Sequence, residues 1–531
     1  MVLTLDDYDR RYPPRQLPPD AEVGRIGPSP TGRPHIGTAL QAVINRALAT
    51  KSGGVFILRI EDTDRARLVP GAVAEIIEAL KWLGVEADEG PAGSGPYAPY
   101  EQSERLPLYS AAAVQLIADG HAYRCFCTPE RLESVRQAQA ARGMPTRYDG
   151  MCRALTAADV AERIARGEQS VVRMRVPSGE AITFHDLARG AITIQSTEVD
   201  DAVILKSDGF PTYHLAVVVD DHFMRVTTVI RGEEWISSTP KHILLYRAFG
   251  WTPPRFLHTA LLRDAKGRKL SKRTGDTSIG YYRSQGILPE AFRNFLTRIV
   301  WFHPESKDVY DPSDFTSHFE LRQLSVSGPV VDPALLLHIN GLYMRRLGPD
   351  VLFERVSAHL RELSAQGEGF ADTFEGATGE VITREALETF ITAFTADRAK
   401  AIRILSLEPE RFKRLVDVLI QGRVYYDEFF EPPAADKLTA QMEAPSAVRA
   451  FLEVMRERHD QLVTSKASWD AFVRDYAARI GLKPGKVFMT LRLAVTGTAM
   501  SPPLFEVLQL LSPDNVRRRL TLTIDRLPSD A

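Results

Sequence analysis

Pro28-Ser29-Pro30-Thr31-Gly32-Arg33-Pro34-His35-Ile36-Gly37-Thr38 is the stretch that decides how this chain is read. Pro28, Pro30 and Pro34 fix φ and remove N–H groups, and Gly32 leaves the backbone unrestrained, so the chain must turn here. Downstream, Leu40, Val43, Ile44, Ala47 and Leu48 recur at helical spacing, which puts His35 to Thr38 at or just inside a helix N-terminus. Free N–H groups and the positive end of the helix dipole favour an anion there, and a phosphate would be stabilised. No Gly-Lys-Ser/Thr follows and no Gly-x-Gly-x-x-Gly is present, so this is neither a P-loop nor a dinucleotide fingerprint.

Working outward, Val55-Phe56-Ile57-Leu58-Arg59-Ile60 is a nearly continuous apolar run, as in strands buried on both faces of a parallel sheet. Val73, Ile76, Ile77, Leu80 and Leu83 mark a further helix, which Gly84 ends. Val226-Thr227-Thr228-Val229-Ile230 then reads as a strand and Pro240 to Phe249 as a helix. Strands alternating with helices predict a doubly wound, Rossmann-like parallel α/β domain. Ser29, His35, Glu61 and Arg231 each follow a predicted strand, and ligands bind beyond the carboxyl ends of such strands, so one pocket can gather all four. Any one of them alone is more often a helix cap or a surface ion pair; the shared location argues for a site.

With 531 residues the chain should hold several domains, and 44% hydrophobic with 25% charged residues is ordinary for a globular protein. A net charge of −2 gives no global basic field, so any nucleic-acid surface must be a local arrangement of the 66 Lys and Arg side chains. No run of about 18 apolar residues and no signal-type leader is visible, so no membrane association is predicted and a cytoplasmic protein is expected. Three cysteines do not make a secreted disulfide framework. Residues 1–20, with Pro13, Pro14, Pro18 and Pro19, read as an extended lead-in.

A second signature, Lys269-Leu270-Ser271-Lys272-Arg273, lies in the Gly/Lys/Arg-rich stretch from Arg263 to Gly275. Alone, a basic pentad is usually a solvated loop. In this order after His35, the pair resembles the two signatures of class I aminoacyl-tRNA synthetases. Arg25 to Gly32, Leu58-Arg59-Ile60-Glu61-Asp62-Thr63-Asp64, Tyr100 to Arg105, Ser207 to His214 and Ile230 to Trp235 are similar to the wording of the bacterial glutamyl-tRNA synthetase family. The resemblance runs from about Val23 into the C-terminal helices.

After the N-terminal extension (1–20), which the resemblance does not cover, the expected domain order is the catalytic domain in two halves (21–96 and 206–254), an inserted acceptor-binding domain (97–205), a stem-contact region (255–347) and a helical anticodon-binding part (348–531). The resemblance implies ATP-dependent ligation of L-glutamate to tRNA(Glu) through a glutamyl-adenylate, with Mg²⁺ bridging the phosphates and no dedicated protein cage for it. A monomer is expected. His35, Thr38 and Lys272 would be catalytic; Pro30, Gly37, Glu234, Lys269 and Ser271 would complete the ATP site. Arginine forks match carboxylates, so Arg25 and Arg231 are the candidate readers of glutamate, with Glu61 on the α-ammonium and Ser29 and Tyr213 lining the pocket. Val217 stands where the family often has asparagine, so one polar contact is missing.

Cys125-x-Cys127 with Tyr148 and Cys152 resembles the zinc knuckle of some family members, although Ala154 replaces the family histidine and Tyr148 would have to be the fourth ligand. Three buried, reduced cysteines are the alternative. Arg411, in Glu410-Arg411-Phe412, falls where discriminating members place an arginine against the third anticodon base; a surface arginine is the competing reading. Three other functions compete: glutamylation of queuosine on tRNA, a tRNA-independent nucleotidylyltransferase, and a catalytically dead RNA-binding paralogue. The sequence leaves open whether tRNA(Gln) is also charged.

Overall fold

The computed structural model describes residues 3–91, 95–270, 277–365, 382–407 and 409–528. The chain forms two compact units, one of residues 1–282 with 289–336, the other of residues 283–288 with 337–531.

The first unit opens with a helix, α1 (Leu5–Arg11), where the prolines predict an extended lead-in. Thr4 and Asp7 cap it reciprocally, and Tyr8 and Tyr12, one turn apart and stacked, turn inward onto Phe223. The prolines shape only the stretch after this helix. Arg15 there pairs with Glu89 at 2.7 and 2.9 Å and lies over the Tyr97 ring.

β1 (Val23–Ile26) leads through the Pro28–His35 turn into α2 (Ile36–Ser52), and β2 (Val55–Leu58) returns parallel to β1 with Val23 opposite Val55. Ile36, Leu40, Val43, Ile44 and Leu48 are buried along one side of α2, each worth about 1.5–3 kcal/mol of burial. α3 (Ala72–Leu83) ends at Gly84, whose φ of 62° is left-handed backbone that costs glycine nothing. After α4 (Leu106–Ala118) come β3 (Ala122–Cys125), α5 (Pro129–Ala141), α6 (Ala157–Ala165), β4 (Val171–Met174), β5 (Ala181–Asp186), β6 (Gly190–Gln195) and β7 (Val203–Leu205). Strands β3-β4-β7 form their own antiparallel sheet. The hairpin β5–β6 does not stay with that sheet.

The second half of the α/β core is α7 (Tyr213–Phe223), β8 (Thr228–Gly232), α8 (Thr239–Phe249) and β9 (Arg255–Thr259). β8 begins two residues later than its apolar run predicts; Thr227, just before it, gives its N–H to Val23 O (3.0 Å). β9 lies parallel to β8, and β5 adds parallel to β9 with Asp186 opposite Phe256, giving the order β6-β5-β9-β8. Part of the region that the sequence reads as an insertion thus extends the catalytic sheet and delivers Asp186 to it. α9 (Ile279–Ser284), α10 (Pro289–Arg298) and α11 (Pro312–His318) follow.

The second unit is helical. Among the described residues no strand follows Thr259, and Phe390, Val416, Phe451, Leu452, Trp469, Leu491 and Leu520 form its buried interior. No helix among the described residues is long and apolar enough to cross a membrane.

Candidate functional site

His35 is the N-cap of α2: its Nδ1 accepts the backbone N–H of Gly37 at 3.0 Å. A nitrogen that accepts carries no proton, so neutral His35 bears its hydrogen on Nε2. Thr38 stands in the first turn, its N–H given to His35 O. Ile36 N donates to Thr277 O and Ile279 N to Pro34 O, both at 2.9 Å. The two flanks of residues 271–276 therefore meet the same turn, since Lys269 and Leu270 line a cavity with His35 and Gly37. Ser271 and Lys272 themselves lie outside the described residues. The cavity, of about 220 Å³, is also lined by Leu40, Gln41, Gly232, Glu234 and the run Thr259–Leu262. Pro30 and Ser29 are in the adjoining turn; Pro30 is buried and its carbonyl accepts Val69 N–H, whereas Ser29 is exposed.

A larger cavity lies elsewhere, at about 580 Å³ between the C-terminal half of α2, α10 and α11. None of the predicted site residues lines it, and size alone does not make it the site.

At the ends of β1 and β2 lies a buried charge cluster. Arg25 donates to Asp221 through Nε (3.0 Å) and Nη2 (3.3 Å), and Arg59 bridges Asp221 (2.6 Å) and Glu61 (3.0 Å). Arg105 pairs with Asp220 at 2.7 Å, with Gln102 and Tyr109 on the other carboxylate oxygen. Three cations meet three anions, which is what allows so many charges to be buried. Burial pushes the Glu61 carboxyl above its ordinary range, against the pull of Arg59 and Arg25. A Cβ at Gly27 would stand 2.2 Å from Glu61 Oε1, so glycine there leaves the room Glu61 occupies. Asp221 engages the Nε–Nη2 edge of Arg25, so that edge is not offered to a ligand. Sequence reasoning missed Asp220 and Asp221, whose adjacent charges near the end of an apolar helix were the available signal.

Arg231, at the end of β8, differs. Its Nε donates to His258 Nε2 (3.2 Å), Nη1 to His242 Nδ1 (3.0 Å) and Tyr213 OH (3.3 Å), and Nη2 to Thr239 Oγ1 (2.8 Å). It is 4% exposed, and no carboxylate among the described residues pairs with it. The Tyr213 phenol feels Arg231, Glu61 and Arg25 together, which brings the predicted residues to one place. Trp235 stacks on Tyr213 with ring centres 4.2 Å apart. His242, His258 and Asp186 were not singled out, because a histidine within Phe256-Leu257-His258 reads as core. Val217, one turn after Tyr213, is buried among apolar side chains.

The cysteines converge in the separate sheet. Cys127 Sγ is 3.6 Å from Cys152 Sγ and from Tyr148 OH, and Cys125 Sγ is 3.4 Å from Tyr148 OH. Tetrahedral zinc–thiolate bonds of about 2.3 Å put sulfurs about 3.8 Å apart, so the cluster fits such an ion. Arg131 donates to Cys127 Sγ; burial and the neighbouring sulfurs push the Cys127 thiol up to about 11, whereas at Cys125 burial is outweighed by bonds from Tyr148 and Arg173, which hold the thiol below its usual range. A second group of potential metal ligands, His303, Asp314 and His318, is tied to Lys307. Neither group lines the nucleotide cavity.

Arg411, in the second unit, lies half-buried in the turn after Arg398–Leu407, and its carbonyl accepts Gln421 Nε2 at 3.2 Å.

A helix N-cap histidine thus shares a cavity with Lys269 and Leu270, and Arg231 stands just before Gly232 at the same cavity. Residues 23–337 match the family of class I tRNA synthetases (E and Q), catalytic domain, and residues 381–524 match an anticodon binding domain. The chain belongs to the class I tRNA synthetases of the E and Q group. Its relatives include the glutamate–tRNA ligase of Gloeobacter violaceus, 54% identical over 524 residues and 98% of each chain. That of Thermus thermophilus is 42% identical over 94% of this chain and 98% of its own. Among solved structures, a glutamate tRNA ligase from Elizabethkingia meningosepticum in complex with its amino acid superposes with a TM-score of 0.79. It is 30% identical and covers 96% of this chain and all of its own.

Proposed function

We propose that this chain ligates L-glutamate to tRNA(Glu) in two steps: attack of the amino acid carboxylate on the α-phosphate of ATP, releasing pyrophosphate, then transfer of the glutamyl group to the 3′-terminal adenosine. The observation that carries the reading is Arg231, a buried cation without a carboxylate partner among the described residues, one residue before Gly232, which lines the cavity shared by His35 and Lys269. A glutamate side chain supplies the missing anion; glutamine would leave the cation unpaired, which is costly in a buried site.

The first step needs little acid–base chemistry, and catalysis is positioning plus charge neutralisation on the phosphates. His35 Nε2–H is the donor at that point, because the N–H groups of Ile36, Gly37 and Thr38 are given to Thr277 O, His35 Nδ1 and His35 O. Lys272, outside the described residues, would supply a further cation; Lys269 and Leu270, just before it, line the cavity with His35. Magnesium, bound with ATP, supplies further charge neutralisation. Glu61 accepts the α-ammonium, an additional cation that its Arg59 bond leaves room for on the other carboxylate oxygen. Arg25 keeps Asp221 ionised beneath the site: burial opposes ionisation, but Arg25 and Arg59 hold the carboxyl below its ordinary range.

Cys125, Cys127, Tyr148 and Cys152 would hold one zinc ion, which would tie the end of β3 and the residues after it to the Met151–Ala154 turn. The working unit is a single chain in the cytoplasm. The anticodon-domain match over residues 381–524 weighs against a queuosine-modifying enzyme without such a domain.

Glutamate-dependent ATP–pyrophosphate exchange with and without tRNA tests the reading. Exchange that requires tRNA(Glu) is expected. Exchange with another amino acid, or none with glutamate in the presence of tRNA, overturns it.

A further inference from the structure

Arg231 is surrounded by acceptors, and none of those described is charged. Arg25, Arg59 and Arg105, buried as deeply, each have a carboxylate at 3.0 Å or closer. The difference is built by two pairs of side chains behind Arg231. His258 Nδ1 lies 2.8 Å from Asp186 Oδ2, which also accepts the His258 backbone N–H at 2.8 Å. Burial works against ionisation of Asp186, but bonds from His258 and Ala188 hold its carboxyl below the usual range, so it accepts only. His258 Nδ1 therefore carries the proton, and Nε2 presents a lone pair to Arg231 Nε. On the other side, His242 Nδ1 accepts from Arg231, and its Nε2–H faces His214 Nδ1 at 3.1 Å. Burial, then Arg231 and His214, holds His242 well below the usual histidine range, so it stays neutral. Thr239 Oγ1, donating to Trp235 O, accepts from Arg231 Nη2.

We propose that His242 and His258, fixed as neutral acceptors by His214 and Asp186, are positioning residues that orient the Arg231 guanidinium without cancelling its charge, and so set the selection of the acid over the amide. Asp186 aims the fork from one imidazole away. A carboxylate touching the guanidinium would aim it equally well but would supply the anion that glutamate must bring, and glutamine would then bind without penalty. The inference rests on glutamate being the substrate proposed above.

The experiment uses the full-length enzyme with its tRNA and two isosteric pairs. Asparagine and aspartate place an oxygen where His242 Nδ1 stands, and glutamine and glutamate place one where His258 Nε2 stands. For His242→Asn, His242→Asp, His258→Gln and His258→Glu, kcat/KM for glutamate and glutamine, KM for ATP and the melting temperature are measured. The neutral variants should keep glutamate kcat/KM within about tenfold of wild type, and the charged ones should lose about 100-fold or more. The glutamate-to-glutamine ratio should narrow only in the charged variants, with KM for ATP unchanged. Folded pairs whose two members share one ratio overturn the proposal. Should neither charged variant fold, His242→Leu and His258→Leu replace them. Removal of the acceptor must then raise KM for glutamate beyond that of the Asn and Gln variants, and an equal KM overturns it. A wild type that does not charge glutamate refutes the functional reading instead, so the two failures are distinct.

Discussion

The bond from Gly37 N–H to His35 Nδ1, at 3.0 Å, gives His35 two jobs at once. One ring nitrogen caps α2, and the other carries the hydrogen. His35→Asn keeps an acceptor near the Nδ1 position and loses the Nε2–H. It should lower pyrophosphate exchange at least about tenfold, roughly 1.4 kcal/mol of transition-state stabilisation, while changing folding stability by less than about 1 kcal/mol. A wild-type exchange rate in this variant would remove His35 from the chemistry. Lys272→Ala should show a similar loss with little change in KM for ATP.

Arg15 and Glu89 are each less than a tenth exposed, and Tyr100 OH also donates to Glu89, at 2.8 Å. Removing the arginine strands a buried carboxylate. Arg15→Ala should cost about 3–5 kcal/mol, read by urea unfolding. A loss below about 1 kcal/mol would mean that residues 3–17 are merely draped on the domain.

Burial, with nearby cations, lowers His214 and His222 from 6.5 to about 4, and burial does the same to His359. The unfolded chain takes up protons near pH 6.5 that the folded chain refuses, so their contribution to stability is complete above about 6.5. It is lost as pH falls toward about 4. The urea midpoint should therefore drop steeply between pH 6.5 and 4.5. His222, stacked on Trp251 with ring centres 3.7 Å apart, accounts for on the order of 3 kcal/mol of that loss. His222→Phe should flatten the profile; an unchanged slope would show that His222 is not among the groups that titrate.

Metal analysis after mild dialysis should find about one zinc per chain, abolished by Cys152→Ser. Chelation should lower the melting temperature. Metal-free protein of full stability and activity would leave Cys125, Cys127 and Cys152 as ordinary packing residues.

Arg411→Gln should narrow the preference for tRNA(Glu) over tRNA(Gln), since a guanidinium reading the final anticodon base is worth roughly 1–3 kcal/mol. Charging assays on both transcripts decide it. Equal charging of both by the wild type would mean that Arg411 does not discriminate.

The alternation of strand and helix, the turn at Pro28–His35 and the helical C-terminal part were legible in the sequence, because each is written in local chemistry: proline and glycine punctuation, a cap residue, apolar spacing of about 3.6. A local signal also misled where it was incomplete. Four prolines hid α1, whose cap at Thr4 and inward tyrosines speak for a helix. What no local pattern contains is the company a buried charge keeps. Arg25, Arg59 and Arg231 look alike along the chain, yet tertiary structure gives two of them carboxylates and Arg231 only neutral acceptors. That assignment depends on Asp186 arriving from β5, Asp221 from α7 and His258 from β9, segments joined only when the sheet forms. The sequence by itself determined the elements and the class of chemistry. The fold alone decided which cation was left without a carboxylate among the described residues, since Coulomb energy and desolvation depend on distance and burial, not on position along the chain.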